Sequence, residues 1–118
     1  MLASPNQRPA QRPPARGPGD HLRDALRNLA GPQAVFVRHT EKSWASVTFE
    51  GARHTFEIAF EGTCSIADGE TFIEALAEHE FAIPGQLVAD ARITAVDHRL
   101  TPEPSLAISC ELLLLRDA

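Results

Sequence analysis

The stretch SWASVTFEGARHTFEIAFEG, residues 43–62, decides the predicted fold. Apolar and polar residues alternate on both sides of Gly51-Ala52, a period of two that is typical of strands with one buried face. A two-residue loop at Gly51-Ala52 would pair Val47 with Phe56 and turn both toward one core. Glycine in the first loop position suits a type II′ turn, which needs a positive φ there. The sequence therefore predicts a β-hairpin that turns at Gly51-Ala52.

The remaining elements are predicted from the same kind of pattern, working outward from this hairpin. Leucines at positions 22, 26 and 29 lie on one helical face, and Phe72, Ile73 and Leu76 form a similar apolar stripe. The predicted elements are a helix over residues 20–29, a strand over 34–39 with a link over 40–43, a helix over 68–80, and a second hairpin over 87–99 and 106–115. The predicted fold class is α+β, in the order α-β-β-β-α-β-β. We expect a mainly antiparallel sheet of about five strands, with the two helices packed on one face.

Composition divides the chain into an N-terminal arm, residues 1–19, and a single domain, residues 20–118. The arm holds five prolines and three arginines but no acidic residue, so it is predicted to be disordered. All sixteen acidic residues lie in the domain, which is therefore acidic. Nucleic-acid binding by the domain is not expected because phosphate contacts need clustered basic residues. A weak RNA contact through the basic arm stays open.

The sequence also indicates the cellular compartment in which we expect the protein. We expect no membrane span, because no apolar run approaches the roughly 18 residues that a spanning helix needs. The start of the sequence shows no apolar leader, and Cys64 and Cys110 are too few for a disulfide framework. A cytoplasmic location with reduced thiols is the resulting expectation. The composition, rich in Ala, Arg and Pro, is typical of a GC-rich bacterial genome.

A search for chemistry-bearing motifs predicts no catalytic residue, no cofactor-binding residue and no metal ligand. The five histidines do not form H-x-x-x-H, and no C-x-x-C is present. The nucleophile motif G-x-S-x-G and the dinucleotide motif G-x-G-x-x-G are also absent. Cys64 precedes a predicted helix, where a thiol pKa can fall, but any such loop cysteine shares that feature. The histidines are interpreted as partly buried groups with structural roles.

Two families share the predicted order of elements. Residues 20–80, read as α-β-β-β-α, resemble a double-stranded-RNA-binding domain, but Asp68, Glu70 and Glu74 stand where such domains carry lysines. The whole order, with the acidic domain and small size, resembles the type III secretion chaperone-like fold. That resemblance implies a dimer that binds segments of partner proteins. It rests on architecture, and architecture does not determine function.

The expected function is therefore a non-enzymatic protein-binding or assembly module, of chaperone or adaptor type, that forms a homodimer. Trp44, Leu113 and Leu115 are the predicted interface residues, because all three are apolar and point away from the helices in the predicted sheet. One alternative is a small ligand-binding protein or enzyme with a pocket between the helix over residues 68–80 and the sheet. The other alternative is RNA contact through the arm.

Overall fold

A computed structural model describes residues 16–117, which form two helices and a four-stranded antiparallel sheet. The sheet order is β1-β2-β4-β3. The elements are α1 (Pro18–Ala30), β1 (Val35–Ala45), β2 (Glu50–Glu61), α2 (Thr63–Ala75, extended by a 3-10 turn over Leu76–Glu78), β3 (Gln86–Arg99) and β4 (Ser105–Arg116). The predicted α+β class is confirmed, together with its two helices and antiparallel sheet. Neither helix in the described range is long and apolar enough to cross a membrane.

The predicted order of elements and the count of about five strands are wrong. The order is α-β-β-α-β-β, because residues 34–39, the link over 40–43 and the start of the predicted hairpin form one continuous strand, β1. Both family resemblances rested on three strands between the helices, and the structure has two. The predicted arm lies outside the described residues except for its last four, of which Pro18 and Gly19 begin α1.

The predicted turn at Gly51-Ala52 is also wrong, since the first hairpin turns over residues 46–49. There the backbone N–H of Ser46 donates to the carbonyl oxygen of Phe49 at 2.7 Å, and the Ser46 hydroxyl accepts from the Phe49 N–H at 3.1 Å. His39, rather than Val47, pairs with Phe56, and Val47 is fully exposed. The longer strand is favoured because it extends the antiparallel ladder of β1 and β2 over ten residue pairs, of which alternate pairs exchange backbone hydrogen bonds.

Gly51 therefore lies inside β2, where it serves a close approach of strands. It faces Trp44 on one side and Leu115 on the other. A Cβ atom added at Gly51 would collide with the backbone carbonyl oxygen of Leu114. The glycine that suggested a turn is thus required by the distance between β2 and β4.

The core lies between the helices and one face of the sheet. Leu22 and Leu26 of α1 are fully buried there, and Phe72 of α2 packs near Phe60 of β2, with ring centroids 6.4 Å apart. Helix α2 begins at Thr63, five residues before the predicted start, because residues 63–67 already form its first turn. Gly62, at a φ of 90°, precedes it and accepts from the Ile66 N–H at 2.9 Å.

The second hairpin lies near its predicted bounds, but its register differs. Ile93 pairs with Cys110, whereas a four-residue loop over residues 101–104, as the sequence predicts, would pair it with Leu112. The loop is one residue longer than predicted, since Arg99 pairs with Ser105, and the register shift between Ile93 and Ala95 moves the pair by one residue more. A bulge adds one residue to one strand and moves every later pair.

Replacing Phe56 by Ala should lower the free energy of unfolding by about 3–5 kcal/mol, because the ring is fully buried and its loss leaves a cavity. Thr55→Ala is the matched control, since Thr55 lies next along β2 on the opposite face and should cost under about 1 kcal/mol. Urea denaturation measures both. Equal costs would contradict the facing of β2.

Replacing Gly51 by Ala should destabilise the protein by more than about 2 kcal/mol, because the new methyl group has no room beside Leu114. Gly17→Ala is the control, since a Cβ atom there meets nothing within 4 Å. Thermal unfolding compares the two variants. If Gly51→Ala were as stable as Gly17→Ala, Gly51 would have to lie in an open turn, as the sequence had suggested.

Candidate functional site

The first hairpin brings together three side chains that can share a proton or a ligand. His39 and Glu41 are two residues apart on β1, so they share a face of the sheet. His54 stands opposite Glu41 on β2. One nitrogen of each histidine and one carboxylate oxygen lie within 4.8 Å of one another. This His39–Glu41–His54 cluster lies on the helix-covered face, beside the buried Phe56.

A chain of hydrogen bonds fixes the two rings. A guanidinium nitrogen of Arg23, on α1, lies 3.2 Å from His39 Nδ1, and His39 Nε2 lies 2.9 Å from His54 Nδ1. Because a guanidinium group can only donate, His39 Nδ1 must accept. The proton of neutral His39 is then on Nε2 and is donated to His54 Nδ1. Arg23 thereby selects the tautomer of both histidines.

Burial holds both histidines in the neutral form. His54 is 1% exposed, and the His39 ring stacks on the Phe56 ring with centroids 4.0 Å apart. Burial lowers the pKa of His54 and is also the largest cause of the lowered pKa of His39. Charge repulsion by His54 and Arg23 lowers the His39 pKa further, while Glu41 opposes both shifts.

The first turn of α1 covers the cluster because Gly19 has no side chain. A Cβ atom at Gly19 would stand 3.0 Å from His39 Cε1 and 3.5 Å from His54 Cε1. The helix start is held in place by its own polar groups. The Gly17 N–H donates to the Asp20 carboxylate at 3.1 Å, and Arg16 pairs with Asp24.

A cleft of about 470 Å³ adjoins the cluster between the start of α1 and the sheet. Its wall contains His54 and Glu41, a part of Trp44, and the ion pair between Glu50 and Arg116, whose nearest atoms are 2.7 Å apart. The remaining lining residues are Pro18, Ser43, Ala45, Gly51, Ala52, Gln86 and Leu114. The volume falls within the range of small-molecule sites.

The predicted interface residues are brought toward one end of the sheet. Trp44, Gly51, Leu115 and Leu87 are successive partners across the four strands. Leu115 is only 7% exposed and Leu113 only 9%, and Trp44 is partly buried. Leu87 is the exposed member of this row, at 52%. The proposed interface role of Trp44, Leu113 and Leu115 stays a prediction.

The cleft is not where the alternative hypothesis placed a pocket. Helix α2 lies directly on the sheet, since a Cβ atom at Gly69 would come within 2.7 Å of Leu106 Cδ2. A separate hollow of about 550 Å³ lies after α2, between residues 77–81 and β3. Its titratable groups are solvent-exposed and, unlike those beside the cleft, make no buried hydrogen-bonded chain.

The motif search missed the cluster because it used the spacing of helical sites. His39-Thr40-Glu41 places two donors on one face only if the segment is a strand, whereas the sequence predicts a link from residue 40 onward. The partner of Glu41 then depended on the register of the hairpin, which the misplaced turn shifted. The sequence signal for this cluster is an H-x-E pattern on one strand of a hairpin with a histidine on the opposite strand.

Comparison of the chain with protein-family models, with curated proteins and with solved structures gave no match in any of the three. Two imidazoles and a carboxylate can exchange protons, accept hydrogen bonds or bind a metal ion.

The lowered pKa values predict how stability depends on pH. Near and below pH 6.5, the ordinary pKa of histidine, His39 and His54 bind protons more readily in the unfolded chain than in the folded protein. The free energy of unfolding should therefore be higher above pH 6.5 and should decrease as the pH falls below it. A His39→Gln/His54→Gln double variant should lose less stability between pH 7.5 and 5.5, as measured by urea denaturation with EDTA present.

The control for this experiment is a His79→Gln/His98→Gln double variant, which removes two exposed histidines from other parts of the fold. It should keep the pH dependence of the parent protein. If the His39/His54 variant showed an unchanged slope, the two rings would not be held neutral by the fold.

Proposed function

We propose that this protein is a binding module whose cleft takes a small, positively charged ligand. The observation that carries the proposal is the neutral, hydrogen-bonded pair of half-buried His39 and fully buried His54, of which His54 lies in the cleft wall. A titratable group whose pKa is shifted by burial and a specific neighbour, and which lies beside a cleft, is a candidate functional residue. This develops the ligand-binding alternative and moves its site from α2 to the start of α1.

The charge of the cleft favours a cation. Glu50 is paired with Arg116, so these two groups cancel. The Glu41 carboxylate is 59% exposed, and its nearest basic neighbour is neutral His54, 4.0 Å away. One uncompensated negative charge therefore faces the cleft. A cationic ligand would gain a charge-assisted hydrogen bond to Glu41, whereas an anion would be repelled.

The two histidine side chains of the site are held in fixed positions. His54 and His39 stand on paired strands and are held by stacking on Phe56 and by Arg23. Ligand binding to such a preformed site loses little free energy to ordering. Glu41, in contrast, has room to rotate toward a ligand.

Trp44 gives a direct test, because it lines the cleft and is the single tryptophan of the chain. Benzamidine and 1,3-diaminopropane should change its fluorescence and shift the backbone NMR signals of Ser43, Ala45 and Ala52. Acetate and phosphate should not. These titrations are made with EDTA present, so that metal ions play no part.

Glu41→Gln should weaken binding of the two cations about tenfold by removing the negative charge, whereas Glu74→Gln, an exposed change on α2, should leave it unchanged. Equal responses to cations and anions, or signals that shift only away from the cleft, would contradict the proposal.

A second candidate, self-association, is favoured by the face of the sheet that the helices leave uncovered. Leu87 is exposed at the end of the row that contains Trp44 and Leu115. The charges of this face are largely paired within the chain, as Arg53 and Arg92 both contact Glu111 at 3.3 and 2.7 Å. Two copies could therefore meet face to face with little repulsion. This retains the assembly role expected from the sequence.

Light scattering across a dilution series tests this candidate. A dimer at micromolar concentration should dissociate more readily after Leu87→Ser, because the exposed leucine would lie in the interface. Val96→Ser is the control, since Val96 is similarly exposed, at 49%, and pairs with core-facing Ile108 on the helix side of the sheet. A monomer at every concentration would remove this candidate.

A further inference from the structure

We propose that His39, Glu41 and His54 bind a divalent transition-metal ion such as Zn²⁺ or Co²⁺, and that Arg23 competes with the ion for His39. The inference rests on the proposed function, because the ion is a positively charged ligand at the wall of the cleft. Two imidazoles and one carboxylate are a donor set that Zn²⁺ and related ions bind well. Three protein ligands leave a further coordination position for water or a second ligand.

The donor atoms are close to the spacing that a metal needs. At a tetrahedral ion with bonds of about 2.0–2.1 Å, two nitrogen ligands stand about 3.3 Å apart. His39 Nε2 and His54 Nδ1 are 2.9 Å apart, so they must separate by only about 0.4 Å. The nearest Glu41 oxygen is 4.0 Å from His54 Nδ1 and must approach. Glu41 can do so because its side chain is exposed.

The hydrogen bond between the histidines and the metal site are mutually exclusive. His39 Nε2 now carries a proton, because Arg23 donates to Nδ1 of the same ring. To bind an ion, Nε2 must lose that proton, and the ring stays neutral if Nδ1 gains one. Arg23 must then withdraw, since two donors cannot face each other.

Arg23 is therefore a competing cation placed behind the site. Its withdrawal costs the bond to His39, while its buried Nε atom already lacks a hydrogen-bond partner in the described structure. A glutamine at this position would remove the charge, and its amide oxygen could accept from His39 Nδ1–H. That arrangement stabilises the tautomer that binds metal. Lysine would keep the positive charge and the competition.

Metal binding is tested with Co²⁺ and Zn²⁺ on the protein carrying Cys64→Ser, because the exposed Cys64 thiol could bind these ions elsewhere. Isothermal titration of Zn²⁺ should give one site per chain. Co²⁺ should produce visible absorption bands and should quench the fluorescence of Trp44, which is three residues from Glu41 on β1. Arg23→Gln should tighten binding about tenfold or more, and Arg23→Lys should not.

Variants of the ligands make the test specific. Glu41→Gln should weaken Zn²⁺ binding at least about tenfold, and it changes an exposed side chain, so the fold should survive. His39→Gln and His54→Gln should abolish the site, whereas His98→Gln, on the exposed part of β3, should leave it unchanged. Circular dichroism verifies that each variant is folded.

The outcomes separate the two proposals. One-site binding that Glu41→Gln weakens and Arg23→Gln strengthens supports the metal site. No Zn²⁺ binding at millimolar concentration, or binding that Glu41→Gln and Arg23→Gln both leave unchanged, overturns it. Because the organic cations are titrated with EDTA present, their binding in the cleft would then leave the proposed function standing without the metal. Failure of both titrations removes both proposals.

Discussion

The pairing of β2 with both of its neighbours is the constraint on which the rest of the structure depends. β2 lies between β1 and β4, so its register fixes which side chains face the core and which residues meet across the sheet. With Phe56 opposite His39, the buried side of β2 receives both helices, and His54 comes to lie beside Glu41. A shift by one residue would turn Phe56 and His54 outward together. The core and the candidate site are therefore set by the same hydrogen bonds.

The two helices cover the buried face of the sheet and, with it, the histidine cluster. Helix α1 buries Leu22 and Leu26, and the same helix delivers Arg23 to His39. Gly19 allows its first turn to lie on the two histidine rings. One short helix thus supplies core packing, a hydrogen-bond donor and a cover for the cluster. Helix α2 packs closely through Gly69 and leaves no cleft beneath its middle.

The sequence predicted the fold class because that depends on periodicity, which survives errors in register. The leucine stripe of α1 and the alternation around Phe56 are local patterns, and both mark residues that the structure buries. The turn could not be located in the same way. Gly51 satisfied the chemistry of a two-residue loop, but its role is to let β4 approach, a requirement that arises only after the strands have paired.

The candidate site was harder to predict than the fold because its members meet only through that register. His39 and Glu41 are close in sequence, yet His54 lies on the next strand and Arg23 on a helix. A one-element error in the order of strands was enough to hide the cluster. Local pattern thus identified the buried faces of α1 and β2 but predicted an inward Val47 that is fully exposed. The site depends on which residues pair across the strands.

The most direct measurement of the central claim is the proton position on the two rings, read from long-range ¹H–¹⁵N correlations of the histidine side chains at pH 7.5 with EDTA. We expect His39 and His54 both to be neutral and both to carry their proton on Nε2, because Arg23 donates to His39 Nδ1. A charged ring, or a proton on Nδ1 of His39, would contradict it.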